Sequence, residues 1–242
     1  MTTPPASDRA LVQRATGTLR RQILTGGRLP GQRLPPAEAL AGELGIEPDH
    51  VEDVLGQLET LRLVVRAPDG AWRIADWRRI AEINLVPYYL IETPWGPEKA
   101  AMVEDLLLIR RDVLADAAAR AAERASEAEL DALAAIGEQM RASRGDTARL
   151  VELDLRFIMA LVDATHSLPM RWMANSLLRL YGTFVRHYPN TWAITRDHFG
   201  FLDELLKSLR ARDPDEVRAV VRAHFETSDA FVLSLVRRYA AR

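Results

Sequence analysis

The sequence predicts a mainly α-helical protein, in which a small N-terminal winged helix-turn-helix precedes a larger antiparallel all-helical bundle. Apolar residues recur at helical spacing over most of the chain. The clear strand signal is LVVRAPDGAWRI at residues 63–74, where two β-type runs flank a Pro-Asp-Gly turn typical of a hairpin. Strand patterns end there, so we predict two domains, residues 1–76 and 77–242, in a chain of which 48% is hydrophobic.

In the first domain, apolar spacing and chain breakers predict three helices before the hairpin. Four apolar residues recur at short helical intervals: Val12, Ala15, Leu19 and Ile23. They predict a first helix over residues 8–25, which a Gly-Gly pair ends. Two short helices are predicted over residues 36–44 and 48–61, with Gly45 supplying the turn between them. Together with the hairpin, these elements make a winged helix.

Beyond Trp77 the apolar pattern stays helical to the end of the chain. Breaks that predict loops lie at residues 92–98, 124–127, 144–146, 167–169, 188–191 and 213–214. They divide this region into six or seven helices. Ser126 and Glu129 match a capping box, which predicts that a helix begins there.

Composition excludes several classes of site. The chain has no cysteine, which excludes disulfides and thiolate metal sites and is compatible with a reducing cytoplasm. The N-terminus lacks the apolar core of a signal peptide, and no apolar run approaches the length of a membrane span. We therefore expect a cytoplasmic protein. The net charge of −2 provides no global attraction to nucleic acid.

No sequence motif indicates an enzyme. Nothing pairs a nucleophile with a base at a recognisable spacing, and there is no phosphate-binding loop, dinucleotide fingerprint or zinc-protease helix. We therefore predict a non-enzymatic protein without a cofactor.

Polar residues interrupt the apolar helix stripes of the second domain. They are Arg110, Asp154, Tyr181, His198, His224 and Ser228. Because buried polar groups need partners, this set predicts a pocket lined by several helices. An alternative for Arg110 is a buried ion pair with Asp154 or Asp112. For Tyr181 and the histidines the alternative is an ordinary role in the core.

Two stretches of the chain resemble a known family. The run ILTGGRLPGQRLPPAEALAGELGI, with the helix and hairpin after it, is similar to the winged helix of GntR-type bacterial transcriptional regulators. The helices around LRLYGTFVRHY resemble the effector domain of that family's fatty-acid-regulator (FadR) branch. The resemblance implies a homodimer that binds a palindromic DNA operator. It also implies that a small anionic or acyl effector, such as an acyl-CoA, a fatty acid or a carboxylate, changes the affinity for that operator.

The resemblance also bears on the pocket. It puts Arg110 where the family's arginine often meets an anionic part of the effector, and a guanidinium suits a carboxylate. Phe225 replaces a small residue where the acyl-CoA-binding relatives need room. We therefore predict that an acyl-CoA has less room in this effector site than in those relatives.

The metal-binding branch of the family uses D-x-x-x-H on one helix and two later histidines. Asp154 and His224 match that pattern, but Ile158 and Leu202 replace the other two ligands. His198 lies one turn before Leu202 and is a weak substitute, so no metal site is predicted.

The DNA-reading face departs from the family pattern. Glu38, Pro48 and Glu52 stand where regulators of this type carry arginines. Each lost arginine contact removes about 1–3 kcal/mol of binding free energy, so binding of the usual operator should be weak. The remaining candidate DNA contacts are Arg33, His50, Arg66, Gly70 and Arg73.

The start of the predicted helix over residues 48–61 is acidic, with Glu47, Asp49, Glu52 and Asp53, and several interpretations of it remain open. It could be the solvated surface of a domain that has lost its role on DNA, or it could read cytosine amino groups in an unusual operator. It could also dock a basic protein partner. We therefore predict an effector-responsive regulator of transcription, with a ligand-binding or protein-interaction module that has lost specific DNA binding as the alternative.

Overall fold

The computed structural model describes residues 6–187 and 198–240. It confirms the mainly α-helical class, with a winged helix first and helices thereafter. The chain divides into two compact units at the bond between Pro94 and Trp95. The domain boundary after residue 76 stays a prediction. No helix in the described part of the chain is both long and apolar enough to cross a membrane.

The winged helix contains three helices and a two-stranded sheet. They are α1 (Ala6–Leu24), α2 (Ala37–Leu44), α3 (Val51–Thr60), β1 (Val64–Arg66) and β2 (Trp72–Ile74). Leu19, Leu40 and Leu58 are fully buried and form the core between the three helices. Gly45 ends α2 in the left-handed conformation, with φ of 66°, which explains the glycine in this turn.

The predicted helix over residues 48–61 begins differently in the structure. Pro48–His50 forms a 3-10 turn and the α-helix starts only at Val51. Proline lacks a backbone N–H and suits the first turn, where that donor would have no partner within the helix. Asp49 therefore lies on the 3-10 turn, and Glu52 and Asp53 lie on the first turn of α3.

The hairpin is extended by the loop before α2. The strands pair antiparallel, with Val64 opposite Ile74 and Arg66 opposite Trp72. The Leu34 N–H donates to the Trp72 carbonyl over 2.9 Å, and the backbone of Arg33 forms an antiparallel β-bridge with that of Arg73. The loop thus brings Arg33 beside the wing.

Two short helices follow the hairpin, α4 (Trp77–Ile80) and α5 (Val86–Glu92). Arg20 of α1 donates to both oxygens of Glu92, and its guanidinium lies 3.9 Å from the centre of the Tyr88 ring. These contacts explain why α5 groups with the winged helix.

The second unit is built from six helices in its described residues. They are α6 (Pro97–Arg124), α7 (Glu127–Ala142), α8 (Thr147–Asp163), α9 (Leu168–His187), α10 (His198–Arg210) and α11 (Pro214–Ala240). An alanine stripe on α6, including Ala115, Ala118 and Ala122, is completely buried. Small side chains let neighbouring helices approach closely, and α6 packs extensively against α11.

The number of helices after the hairpin differs from the expectation. Within the described residues eight helices, α4 to α11, follow it, whereas the sequence predicts six or seven. The difference comes from α4 and α5, which are too short for an apolar period to show.

Most predicted breaks coincide with loops between these helices. The capping box is confirmed, because the Ser126 side chain accepts from the Glu129 N–H while the Glu129 carboxylate accepts from the Ser126 N–H. The break expected at 167–169 lies slightly earlier in the structure. The loop covers residues 164–167, and Pro169 lies in the first turn of α9, where proline is tolerated. The break predicted at 188–191 lies outside the described residues.

Candidate functional site

A cavity lies among the helices of the second unit, and the structure places all six of the singled-out polar residues around it. Its volume is about 70 Å³, so it suits a small molecule or the head of a longer one. The six residues come from five helices: Arg110 from α6, Asp154 from α8, Tyr181 from α9, His198 from α10, and His224 and Ser228 from α11.

A second chamber of about 50 Å³ adjoins the first. The walls of both contain Arg110, Leu114, Asp154, Ile158, Tyr181 and Phe225. The rest of the second chamber is apolar, with a lining completed by Val113, Val162, Ala174, Leu177 and Leu178. The first chamber has six polar residues in a lining of 16, whereas the three polar residues of the second are all shared with the first. We call the first the polar compartment and the second the apolar chamber.

Arg110 forms a buried ion pair with Asp229, a partner that the sequence does not single out. Its Nη2 donates to Oδ1 of Asp229 on α11, and the two side chains are only 16% and 8% exposed. The expected pairing with Asp154 or Asp112 is wrong. Asp112 pairs instead with Arg222 at 3.2 Å, and Asp154 acts on Arg110 only through its charge. Asp229 lies one helical turn after Phe225. An acidic residue at this spacing on α11 is the sequence feature that could have indicated the partner of Arg110.

Aromatic rings surround the paired guanidinium. The Arg110 guanidinium carbon lies 4.6 Å from the centre of the Phe225 ring and 5.5 Å from that of Tyr181. Contacts of this kind stabilise a cation in a desolvated site. Phe225 thus occupies space in the cavity and also contacts Arg110.

Three buried polar atoms have no hydrogen-bond partner in the described part of the chain. They are Arg110 Nε, Asp229 Oδ2 and His198 Nε2. His198 Nε2 lies 3.9 Å from Asp154 Oδ1, which is too far for a hydrogen bond. Unmade hydrogen bonds of buried groups are costly, so these atoms indicate a site that a ligand or water would complete.

Burial sets the charge states around the cavity. It raises the pKa of Asp154 to about 7, although nearby Arg110 opposes the shift. It lowers the pKa of His198 to about 4, and that of His224 to about 4 with a further contribution from His198. Burial also raises the pKa of the Tyr181 phenol. At pH 7 both imidazoles and the phenol are therefore uncharged.

The geometry does not assemble a metal site from these residues. Within residues 6–187 and 198–240, no group of three or more His, Asp or Glu side chains is arranged to hold a metal ion. Ile158 and Leu202 line the cavity with apolar groups. The His224 ring stacks on Phe201 with 3.8 Å between ring centres.

The candidate DNA contacts lie on or near the wing of the first unit. Arg66 and Arg73 are on the two strands, Gly70 is in the turn between them, and Arg33 is in the adjoining loop. His50 ends the 3-10 turn before α3. Gly70 adopts a φ of 78°, which favours glycine in this turn.

Acidic residues pair with both arginines of the wing strands. Glu52 of α3 lies 3.5 Å from Arg66 and accepts a hydrogen bond from Trp72 Nε1 over 3.3 Å. Asp69 lies 3.3 Å from Arg73, and the hydrogen bond from the Ala71 N–H, together with Arg73, lowers the pKa of Asp69. Glu52, which stands where the family pattern has an arginine, therefore contacts the wing directly.

Comparison with known proteins yields two family matches. Residues 11–74 match the model described as bacterial regulatory proteins, gntR family, and residues 105–227 match that of the FCD domain. The chain is 24% identical over 244 residues to the HTH-type transcriptional regulator Mce2R of Mycobacterium tuberculosis, with complete coverage of both chains.

Solved structures show the same fold. E. coli McbR/YncC gives a TM-score of 0.52 at 20% identity and covers 97% of this chain and 99% of its own. Lar, described as controlling expression of the Listeria monocytogenes agr system, gives a TM-score of 0.55 at 14% identity, with 98% and 99% coverage. At these identities the likeness concerns the fold alone.

Proposed function

The chain belongs to the GntR family of bacterial regulatory proteins and carries an FCD domain, and from this premise we propose that it is a dimeric transcriptional regulator controlled by a small molecule. The matched families and relatives are regulators rather than enzymes. A regulator of bacterial transcription acts beside the chromosome, so we place its function in the cytoplasm.

The cavity around Arg110 is the observation that supports control by an effector. It combines a held cation, polar atoms without partners in the described chain and an adjoining apolar chamber. These features suit a small anionic or acyl ligand, and Phe225 reduces the room for a coenzyme-sized group. The proposed effector-binding residues are Arg110, Asp154, Tyr181, His198, His224 and Ser228.

Effector binding would act through a shift between two populations of the dimer. A ligand that binds one arrangement of the winged helices more tightly stabilises that arrangement. Because two winged helices must match two half-sites, a change in their spacing changes the affinity for a palindromic operator. The proposed DNA contacts are Arg33, His50, Arg66, Gly70 and Arg73.

A thermal-shift experiment tests the effector site. Short carboxylates, amides and acyl-CoAs are screened on the full chain, and a ligand at about 100 times its dissociation constant should add about 2.7 kcal/mol of stability. Arg110→Ala should abolish the ligand-induced shift. The matched control is Arg111→Ala, which removes the neighbouring arginine that pairs with Glu226 at 3.6 Å. An unchanged shift in Arg110→Ala contradicts the role assigned to Arg110.

The contact between Glu52 and Arg66 favours a second candidate function, a ligand-binding or protein-interaction module without specific DNA binding. Glu52 on α3 repels the phosphates of DNA, and it also pairs with Arg66 of the wing. Selection of duplexes from a randomised DNA pool at low salt separates the two functions. Enrichment of an inverted repeat supports the regulator, and absence of any enriched sequence supports the second candidate.

A further inference from the structure

The charge balance of the cavity restricts the kind of head group that it can bind. The titratable groups that line it are Arg110 on α6, Asp154 on α8, Tyr181 on α9, His198 on α10 and His224 on α11. Asp229 on α11 lies behind this lining and is ion-paired with Arg110. Asp229 already neutralises Arg110. The imidazoles and the phenol are uncharged at pH 7, which leaves Asp154, among the described groups, without an opposite charge of its own.

A free carboxylate would therefore enter a site in which the described residues offer no spare positive charge. Its attraction to Arg110 is offset by repulsion from Asp229, and from Asp154 when that residue is ionised. Ion pairs in buried sites must also compensate for the lost hydration of each charge. The presence of Arg110 alone is thus a poor reason to expect an anion.

The unused polar atoms suit an uncharged group instead. Arg110 Nε is a donor without a partner in the described chain, and His198 Nε2 can donate or accept according to its tautomer. A carbonyl oxygen accepts a hydrogen bond from such donors without adding charge. The Ser228 hydroxyl, which donates to the Phe225 carbonyl over 3.2 Å, keeps its lone pairs as acceptors for a ligand N–H or O–H.

The adjoining chamber suits the remainder of such a molecule. The part of its lining that it does not share with the first chamber is entirely apolar, and it meets the polar compartment at Arg110 and Asp154. A short hydrocarbon chain placed there would be removed from water, which is favourable for each methylene group buried. Polar head and apolar chain would then lie in neighbouring compartments.

We propose that the effector is an uncharged acyl compound, such as an amide or an ester, and that the site discriminates against the corresponding free carboxylate. Its carbonyl binds beside Arg110 and His198, and its chain lies in the apolar chamber. Asp154 is the residue that disfavours the carboxylate. This inference rests on the proposed effector site and narrows its ligand class.

Calorimetric titration of the full chain at pH 8 with hexanamide, hexanoate and hexylammonium tests the proposal. The three probes have the same number of carbons and differ in head-group charge. Hexanamide should bind about tenfold more tightly than hexanoate, because like charges a few ångströms apart repel in a partly buried site. Asp154→Asn should raise the affinity for hexanoate about tenfold and leave that for hexanamide within about threefold.

Asp229→Asn provides a second, independent variant. It also removes one negative charge and should raise the affinity for hexanoate. The control is Asp112→Asn, which alters an ion pair exposed on the surface and should change the affinity for neither hexanoate nor hexanamide. Tighter binding of hexanoate or hexylammonium than of hexanamide overturns the proposal, as does an unchanged preference in both variants or the absence of binding by all three probes. The titration contains no DNA, so its failure is distinguishable from failure of the proposed regulation of transcription.

Discussion

Both units of the molecule hold an arginine against a carboxylate, but in opposite surroundings. Arg66 lies on the wing and Glu52 lies on α3, and their side chains are 57% and 63% exposed. Arg110 and Asp229 lie between two packed helices and are largely buried. Exposed pairs contribute about 0–1 kcal/mol, whereas removing one partner of a buried pair costs about 3–5 kcal/mol. Arg66 and Glu52 can therefore separate and take other partners at little cost in free energy. Separation of Arg110 and Asp229 would destabilise the site that they form.

Removal of each arginine should show the largest difference between the two units. Arg110→Ala should lower the free energy of unfolding by about 3–5 kcal/mol, because Asp229 is left buried without its partner. Arg66→Ala should lower it by less than about 1 kcal/mol. Urea denaturation of both variants measures the two values. Equal losses would show that burial does not distinguish the pairs.

Restoring the arginines of the family pattern should show what the acidic face does to DNA binding. The variant carrying Glu38→Arg, Pro48→Arg and Glu52→Arg should bind DNA at least about a hundredfold more tightly than the unaltered chain, because it gains phosphate and base contacts and frees Arg66. A gel-shift titration at low salt measures the ratio.

A control for net charge places arginines elsewhere. Glu104→Arg with Asp105→Arg adds positive charge to exposed positions of α6 in the other unit and should leave the affinity for DNA nearly unchanged. Nanomolar binding of DNA by the unaltered chain would contradict the view that its reading face is weakened.

The acids of the two units should also respond differently to pH. The pKa of Asp154 is raised to about 7, so between about pH 4 and 7 the folded chain keeps a proton that the unfolded chain loses, and this residue makes stability fall as pH rises. Asp154→Asn should therefore gain stability relative to the unaltered chain across that window, by up to about 1.4 kcal/mol per pH unit. Thermal denaturation at a series of pH values gives the difference.

Asp69 on the wing provides the contrasting case. Its pKa is lowered by the hydrogen bond from the Ala71 N–H and by Arg73, so Asp69→Asn should lose stability relative to the unaltered chain as pH rises through the acid range. The loss should be slight because the group is exposed. The same sign for both variants would remove the contrast between the two units.

Local periodicity predicts part of this molecule from its sequence. The polar residues around the cavity interrupt apolar stripes of single helices, so their inward direction follows from spacing alone. The partner of Arg110 does not follow, because Asp229 is 119 residues away and pairing depends on how α6 packs against α11. The contact between Glu52 and the wing likewise depends on where the hairpin lies against α3. Helical spacing also does not reveal which unit a short helix such as α5 joins.

The indole of Trp72 is an intrinsic fluorophore located on the wing. Its Nε1 donates to the Glu52 carboxylate, and the Arg66 guanidinium lies 5.4 Å from the ring centre. Indole emission is sensitive to neighbouring charges, so any molecule that draws Arg66 away from the wing changes the colour and intensity of this fluorophore. In a variant whose other four tryptophans are replaced by phenylalanine, occupancy of the wing is thereby readable in solution without a dye attached to either partner.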